Sequence, residues 1–323
     1  MEPYEQFAAG ERRSAAVKSR MSLRLSVVAM LLVMSGASAH GQDAGRPKLR
    51  SEMLVTTSWL AEHLHDPDRV VLCISSSTDF CAKGHIPGAR EIRLSEIAIT
   101  RKGIPNELPP TEKLRQVFSA AGMSNNSRVV LYGERKNLDA ARAYFTLDYL
   151  GVAEKVALLD GGIDKWTAEH RPVSTKAPHI QTAKLTIAPR ADILVDIGKL
   201  QNLTAAKQVA LIDARPAKEF TGEELSEDVS KAGHIPGAKS LYWMDMLVSR
   251  ANPVLKPEAE LRQMYAAVNV QPNEPLVTYC RTGMQSSFDY FVAKYLGYEP
   301  GMYDGSFYEW SMKDLPTEVS PRK

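Results

Sequence analysis

An α/β architecture built from two tandem domains, each a parallel sheet flanked by helices, is predicted by three observations. Short apolar runs alternate with segments of helical spacing, the pattern of a parallel sheet covered on both faces. Four motifs occur twice, in the same order, at offsets of 149, 147, 146 and 144 residues. A proline-bearing interval without periodicity separates the two sets. A period this long describes whole domains and not a solenoid of short repeats.

The motifs carry the argument. Gly84-His-Ile-Pro-Gly-Ala-Arg90 returns as Gly233-His-Ile-Pro-Gly-Ala-Lys239, and Val129-Val-Leu-Tyr-Gly133 as Leu276-Val-Thr-Tyr-Cys280. Tyr149-Leu-Gly151 returns as Tyr295-Leu-Gly297, and Asp160-Gly-Gly162 with Trp166 as Asp304-Gly-Ser306 with Trp310. The slow drift is what duplication followed by small insertions and deletions leaves behind.

The chain opens on a targeting pattern. Lys18, Arg20 and Arg24 precede the apolar residues 25–34, and small residues follow, with Ala37 and Ala39 in an Ala-x-Ala arrangement. Residues 1–39 are expected to be a signal peptide, cleaved on export to the periplasm; Met21 is an alternative start. The apolar core is shorter than the roughly 20 residues a membrane span needs, so no span is expected after cleavage.

Residues 51–171 form the first predicted domain. An amphipathic segment at 57–64 precedes a strand at 70–74. The glycines and proline of the first Gly-His-Ile-Pro-Gly-Ala element then make a turn. A charge-rich helical stretch, the strand ending at Gly133 and a further helix follow. Residues 172–192 contain Pro172, Pro178 and Pro189 and read as the linker. The second domain, 193–318, repeats the series with a strand at 209–213. It adds about nine residues in the polar, acidic run 221–232, expected to be a solvated surface loop.

Composition excludes several classes. Formal net charge is +2 in 323 residues. Residues 1–39 hold five Lys/Arg and three Asp/Glu, which leaves 35 of each sign beyond them. Such a balance gives no support for nucleic-acid binding. Three cysteines are too few for a disulfide scaffold. Cys73 reads as a buried strand residue and Cys81 as an incidental thiol, with a Cys73–Cys81 bridge as the alternative, since spacing alone does not fix disulfide geometry. No His/Cys/Asp cluster has metal-ligand spacing and no nucleotide-binding glycine loop is present, so neither a metal nor a cofactor is expected.

Cys280 concentrates the chemistry. It ends an apolar strand, opens the loop Arg281-Thr282-Gly283-Met284-Gln285, and precedes a helix that begins near Ser286. Backbone N–H groups of such a loop, together with a helix N-terminus, favour an anion at sulfur. Arg281 adds charge, Thr282, Ser286 and Ser287 add hydroxyls, and Gly283 permits close backbone approach. The pocket suits a nucleophilic thiolate and a persulfide formed on it. Asp213, at a strand end, reads as a structural partner of Arg215, which is a candidate substrate contact. His85 and His234 occur in both copies and read as turn-bonding residues; Trp166 and Trp310 read as core packing.

With these residues in view, the chain resembles a tandem-domain rhodanese, a family of sulfurtransferases, over nearly all of residues 51–318. The resemblance implies that Cys280 attacks the outer sulfur of thiosulfate, sulfite leaves, and a persulfide passes its sulfur to cyanide or a thiol, including a thiol on a protein. It also implies an inactive first domain, with Gly133 in the position of Cys280 and Glu134 in that of Arg281. Cys73 aligns with Asp213 and not with Cys280. The related phosphatase variant closes a longer loop with an arginine, and here Ser286 and Ser287 stand at that end. Cys280-Arg-Thr-Gly283 is closer to the loop of thiosulfate-using members than to the Cys-Gly-Ser-Gly of those using mercaptopyruvate, but Thr282 replaces a lysine and Glu219 stands where an arginine is usual. The alternatives are a 3-mercaptopyruvate sulfurtransferase, or a persulfide carrier without turnover that serves a partner protein.

Overall fold

Two five-stranded parallel sheets with one strand order between them organise the molecule. The computed structural model describes residues 47–320, so the expected signal peptide lies outside the described residues. In chain order the strands are β1 (Leu54–Val55), β2 (Arg69–Ser75), β3 (Arg90–Arg93), β4 (Ile99–Arg101), β5 (Ile104–Glu107), β6 (Arg128–Gly133), β7 (Val156–Leu159), β8 (Leu194–Val195), β9 (Ala210–Asp213), β10 (Lys239–Ser240), β11 (Leu276–Tyr279) and β12 (Pro300–Tyr303). The first sheet runs β1-β7-β6-β2-β3 and the second, read from its other edge, β8-β12-β11-β9-β10. The two-domain α/β expectation is met, with parallel pairing throughout both sheets.

The central strands carry β-branched and aromatic residues and are buried on both faces, as parallel sheets require. In β2, residues 70–75 are all buried, and β11 is buried from end to end. Equivalent hydrogen bonds fix the turn motif in each copy. The Ile86 N–H donates to the Tyr132 hydroxyl at 3.1 Å, and the Ile235 N–H to the Tyr279 hydroxyl at 3.2 Å. His85 Nδ1 lies 2.8 Å from the Cys81 carbonyl and His234 Nδ1 2.8 Å from that of Phe220. Both histidines therefore hold turns. Trp166 and Trp310 are buried, each donating from its indole to a proline carbonyl, Pro172 and Pro316.

The two copies share a core. The helix Glu134–Tyr149, which follows β6, packs on the helix Gln285–Tyr295, which follows β11. Two ring pairs cross this contact, Tyr144 on Phe291 and Phe145 on Tyr290, each 5.0 Å between centroids and edge-to-face at 84° and 79°. At the same contact Asp148 accepts from the Tyr290 hydroxyl at 2.7 Å and pairs with Lys294 and Arg190.

Two expectations change. Cys73 and Cys81 are bonded to each other, tying β2 to the short helix Phe80–Lys83; the two side chains are buried and face one another inside the first domain. Eight residues of spacing did not reveal that a turn brings them together. The run 221–232 is only partly a solvated loop. Val229 and Ser226 are buried, Ser230 and Lys231 bond to Ser311, Leu315 and Asp314, and Asp228 reaches the mouth of the site described below. The linker is pinned by backbone bonds from Ala183 to Ser119 and from Ala188 to Leu150, with Leu185 buried.

Candidate active site

Cys280 follows β11 at the carboxyl end of the second sheet, where open α/β sheets place their sites. It is the free cysteine of the chain, 1% exposed, and it lines a cavity of about 250 Å³. Its backbone is clamped from the first turn of the helix Ser306–Met312, which follows β12. The Cys280 N–H donates to Ser306 Oγ at 3.2 Å, Phe307 N–H donates to the Cys280 carbonyl at 2.9 Å, and Tyr308 N–H to that of Arg281 at 2.9 Å. The first N–H groups of the helix Gln285–Tyr295 have no intrahelical acceptor and lie beyond this loop.

The cavity is built by both domains. The second contributes Cys280, Arg281, Thr282, Met284, Gln285 and Asp228. The first contributes Ser76, Leu94, Asn106, Arg135 and Leu138. Asn106, at the end of the β4–β5 hairpin, donates from its side-chain amide to Thr282 Oγ1 at 2.9 Å. Of the predicted site residues, Gly283 and Ser286 shape the loop without lining the cavity. Gly283 has φ +82, and a Cβ there would lie 2.7 Å from an Asp304 oxygen. Ser286 is fully buried and its carbonyl accepts from Thr278.

Arg215 is not among the cavity residues. It is 1% exposed and donates three bonds to the Asp213 carboxylate, between 2.6 and 3.1 Å, and one to the Gly233 carbonyl at 2.8 Å. Its guanidinium sits over Phe307, 4.0 Å from the ring centre. Burial opposes its charge, but Asp213 outweighs that and holds the group protonated more firmly than a free guanidinium. The Asp213–Arg215 pair is a structural brace.

Arg281 is also engaged. Its guanidinium donates to buried Glu219 at 2.6 Å and lies 3.8 Å from Asp228. Partial burial works against its charge, and the bond and charge of Glu219 more than offset it. Glu219 approaches Arg215 at 4.0 Å as well. Charges thus alternate from Asp213 through Arg215, Glu219 and Arg281 to Asp228, and three carboxylates surround two guanidiniums.

The first domain shows how the equivalent loop is closed. Cys73 pairs with Tyr132 in one sheet and Asp213 with Tyr279 in the other, so Gly133 is the counterpart of Cys280. A Cβ at Gly133 would lie 2.8 Å from the Ile74 carbonyl and 2.9 Å from the Ala140 nitrogen. Asn137 fills the cradle, accepting from the Gly133 N–H at 3.1 Å and donating to the Leu159 carbonyl at 2.7 Å. Arg135, Lys136 and Asn137 all have positive φ there. In the second domain Ser306 (φ +55) replaces Gly162 (φ +57), and its hydroxyl takes the place of the Asn137 amide. A non-glycine residue in this conformation costs on the order of 1–3 kcal/mol, so the hydroxyl is held there against strain. Sequence reasoning did not single out Arg135, Asn106 or Asp228. Their approach to Cys280 is a product of domain packing and leaves no local signature.

The fold and the site define a rhodanese. The model of the rhodanese-like domain matches residues 56–169 and again 196–313, and the chain belongs to that family. The chain is 34% identical to the sulfur carrier protein TtuD of Thermus thermophilus over 277 residues, 80% of this chain and 93% of the relative. It is 30% identical to a thiosulfate sulfurtransferase of Corynebacterium glutamicum, with 83% and 91% covered. Among solved structures, YnjE superposes with a TM-score of 0.75 at 24% identity over 84% of this chain and 69% of the other. The protein thus performs rhodanese-type sulfur transfer through a cysteine persulfide, with a small-molecule or protein sulfur acceptor. No helix among the described residues is long and apolar enough to cross a membrane.

Proposed function

We propose that the protein is a persulfide sulfur carrier, with Cys280 as its nucleophile and a thiol, on a small molecule or a protein, as its acceptor. The Cys280 thiolate attacks the sulfane sulfur of a donor, and the donor's bond to that sulfur breaks with its electron pair on the leaving group. The acceptor thiolate then attacks the outer persulfide sulfur and Cys280 leaves as thiolate. No net oxidation occurs in the pair of steps. One observation carries this reading: Arg281, the cation beside the nucleophile, is shared between buried Glu219 and Asp228, so its charge is not free to draw in a dianion. The similarity to a sulfur carrier protein supports it.

A second reading is a thiosulfate sulfurtransferase with full turnover. Arg135, paired with Asp139 and 44% exposed, lines the same cavity from the first domain, and this added cation suits a dianionic donor. Intact mass spectrometry and steady-state rates separate the two. The carrier reading expects a gain of about 32 Da on Cys280 after donor treatment, discharged by an added thiol, with slow thiocyanate formation. Cys280→Ser abolishes the gain. Fast turnover of thiosulfate and cyanide overturns the carrier reading in favour of the second, and a mass gain that persists in Cys280→Ser overturns both. Mercaptopyruvate, compared with thiosulfate by kcat/KM, tests the remaining donor class. We further propose export to the periplasm, a reading that the Cys73–Cys81 disulfide supports because such bonds persist in oxidising compartments; cell fractionation tests it.

A further inference from the structure

The duplicated interface contains its own control experiment. The pairs Tyr144–Phe291 and Phe145–Tyr290 relate the two packed helices by a pseudo-twofold axis, so each residue of one helix has a counterpart 146 positions along in the other. The same axis exchanges residues around it, at offsets of 144 and 147. Asp304 accepts from the Leu108 N–H at 3.2 Å, and its counterpart Asp160 accepts from the Leu255 N–H at 2.9 Å. The symmetry breaks at the far end, where Asp148 meets Lys294, and again beside the cysteine loop. There, the side facing Cys280 carries Arg142; the side facing Gly133 carries Phe288, which lines a small space together with Asp160 and Asn137.

Arg142 is fully buried, and it belongs to the domain without a nucleophile. Its fork donates to both oxygens of Asp304, at 2.5 and 3.1 Å, to the Asn106 carbonyl, and more weakly to the Gly283 carbonyl at 3.4 Å. Each acceptor bears on the cysteine loop. Gly283 belongs to the loop, a Cβ there would meet Asp304, and Asn106 holds Thr282. Without Arg142, the Asp304 carboxylate would stand uncompensated against the loop that carries a sulfur anion. We propose that Arg142 is a positioning residue for Cys280, acting across the domain interface on both the geometry and the charge balance of its loop. The arginine is present where the interface meets the working loop and absent where it meets the closed one. General interface adhesion does not predict that difference, since the aromatic pairs supply adhesion equally on both sides.

The inference rests on Cys280 as the reacting residue. Arg142→Phe copies what the other half of the molecule already accommodates beside Asp160, and Arg142→Lys keeps a cation beside Asp304 without the fork. In Arg142→Phe, iodoacetamide alkylation of Cys280 and kcat for sulfur transfer both fall by about tenfold or more, as displacement of a reacting group by a fraction of an ångström permits. KM stays within about twofold, because Arg142 does not line the cavity. Arg142→Lys recovers part of the loss. Wild-type alkylation rate and kcat in folded Arg142→Phe overturn the proposal. Should Arg142→Phe fail to fold, wild-type values in Arg142→Lys overturn it and reduced values with unchanged KM support it. Alkylation needs no sulfur donor, so it judges Arg142 even where absence of a persulfide on the wild-type protein defeats the functional reading.

Discussion

The residues around Cys280 divide its environment into support and restraint. Ser306 and the backbone of Phe307 and Tyr308 support the cysteine from below, while Glu219 restrains Arg281 from the side. Glu219 is 3% exposed and holds its partner through a charge-assisted bond. Such bonds are short and strong, and a guanidinium committed to one has less to offer an incoming anion. Replacing Glu219 with Gln keeps the size and removes the charge. Arg281 then binds thiosulfate more readily, and kcat/KM for thiosulfate is expected to rise about fivefold, equivalent to roughly 1 kcal/mol for one interaction at a part-exposed site. Steady-state kinetics on Glu219→Gln check this. An unchanged or lower value means that the Glu219–Arg281 pair shapes the loop and does not limit anion binding.

At the scale of elements, the helix Gln285–Tyr295 has two tasks that compete. Its N-terminus serves the cysteine loop and its length packs against the first domain, so almost all its residues are buried, Asp289 among them. Neither carboxylate oxygen of Asp289 has a hydrogen-bond partner. Burial, and secondarily the carboxylates of Asp213 and Asp245, push its pKa well above the ordinary value of 3.8. The folded protein therefore keeps a proton there that the unfolded chain releases as pH rises past that value. With more protons on the native state, stability contributed by this site falls with rising pH until the folded group itself ionises. Asp289→Asn removes the titration. Its melting temperature should exceed that of wild type by a margin that widens from pH 4 to pH 8, measured by calorimetry (about the span over which a free aspartate is ionised). A margin constant with pH would show that Asp289 is ionised when folded.

The whole molecule works as one unit because its two copies share apolar core and charge. Residues of both helices belong to a single buried cluster, and the first domain supplies one wall of the cavity. The Cys73–Cys81 bond closes a loop of eight residues' separation within the domain that lacks the nucleophile. In the chain-entropy model a loop of that length is worth about 2.5 kcal/mol, through restriction of the unfolded chain. Cys73→Ala/Cys81→Ala is accordingly expected to lose about that much in denaturant unfolding while keeping sulfur transfer in the folded fraction. Loss of transfer in protein that remains folded would show that the first domain's bridge acts on the site as well as on stability.

Much of this architecture could be read along the chain. Repeated apolar strands, turn glycines and the Gly-His-Ile-Pro-Gly-Ala elements determine two parallel sheets, since hydrophobic period and turn chemistry are local properties. The same locality made Cys280 legible, because a strand end, a short polar loop and a helix start are adjacent in sequence. Arg215 shows the limit. Sequence places it near the site, but only the fold decides that its donors are spent on Asp213 and Gly233. Arg142, Arg135 and Asn106 lie between 138 and 174 residues from Cys280 in the chain and meet its loop or its cavity in space. Their roles depend on how two folded copies pack, and packing is set by the summed shape of many side chains, which no local pattern encodes. Local pattern thus accounts for the fold, the repeat and the candidate nucleophile. Long-range packing sets which charges are paired, which cysteines are bonded, and that the copy without a nucleophile builds one wall of the site.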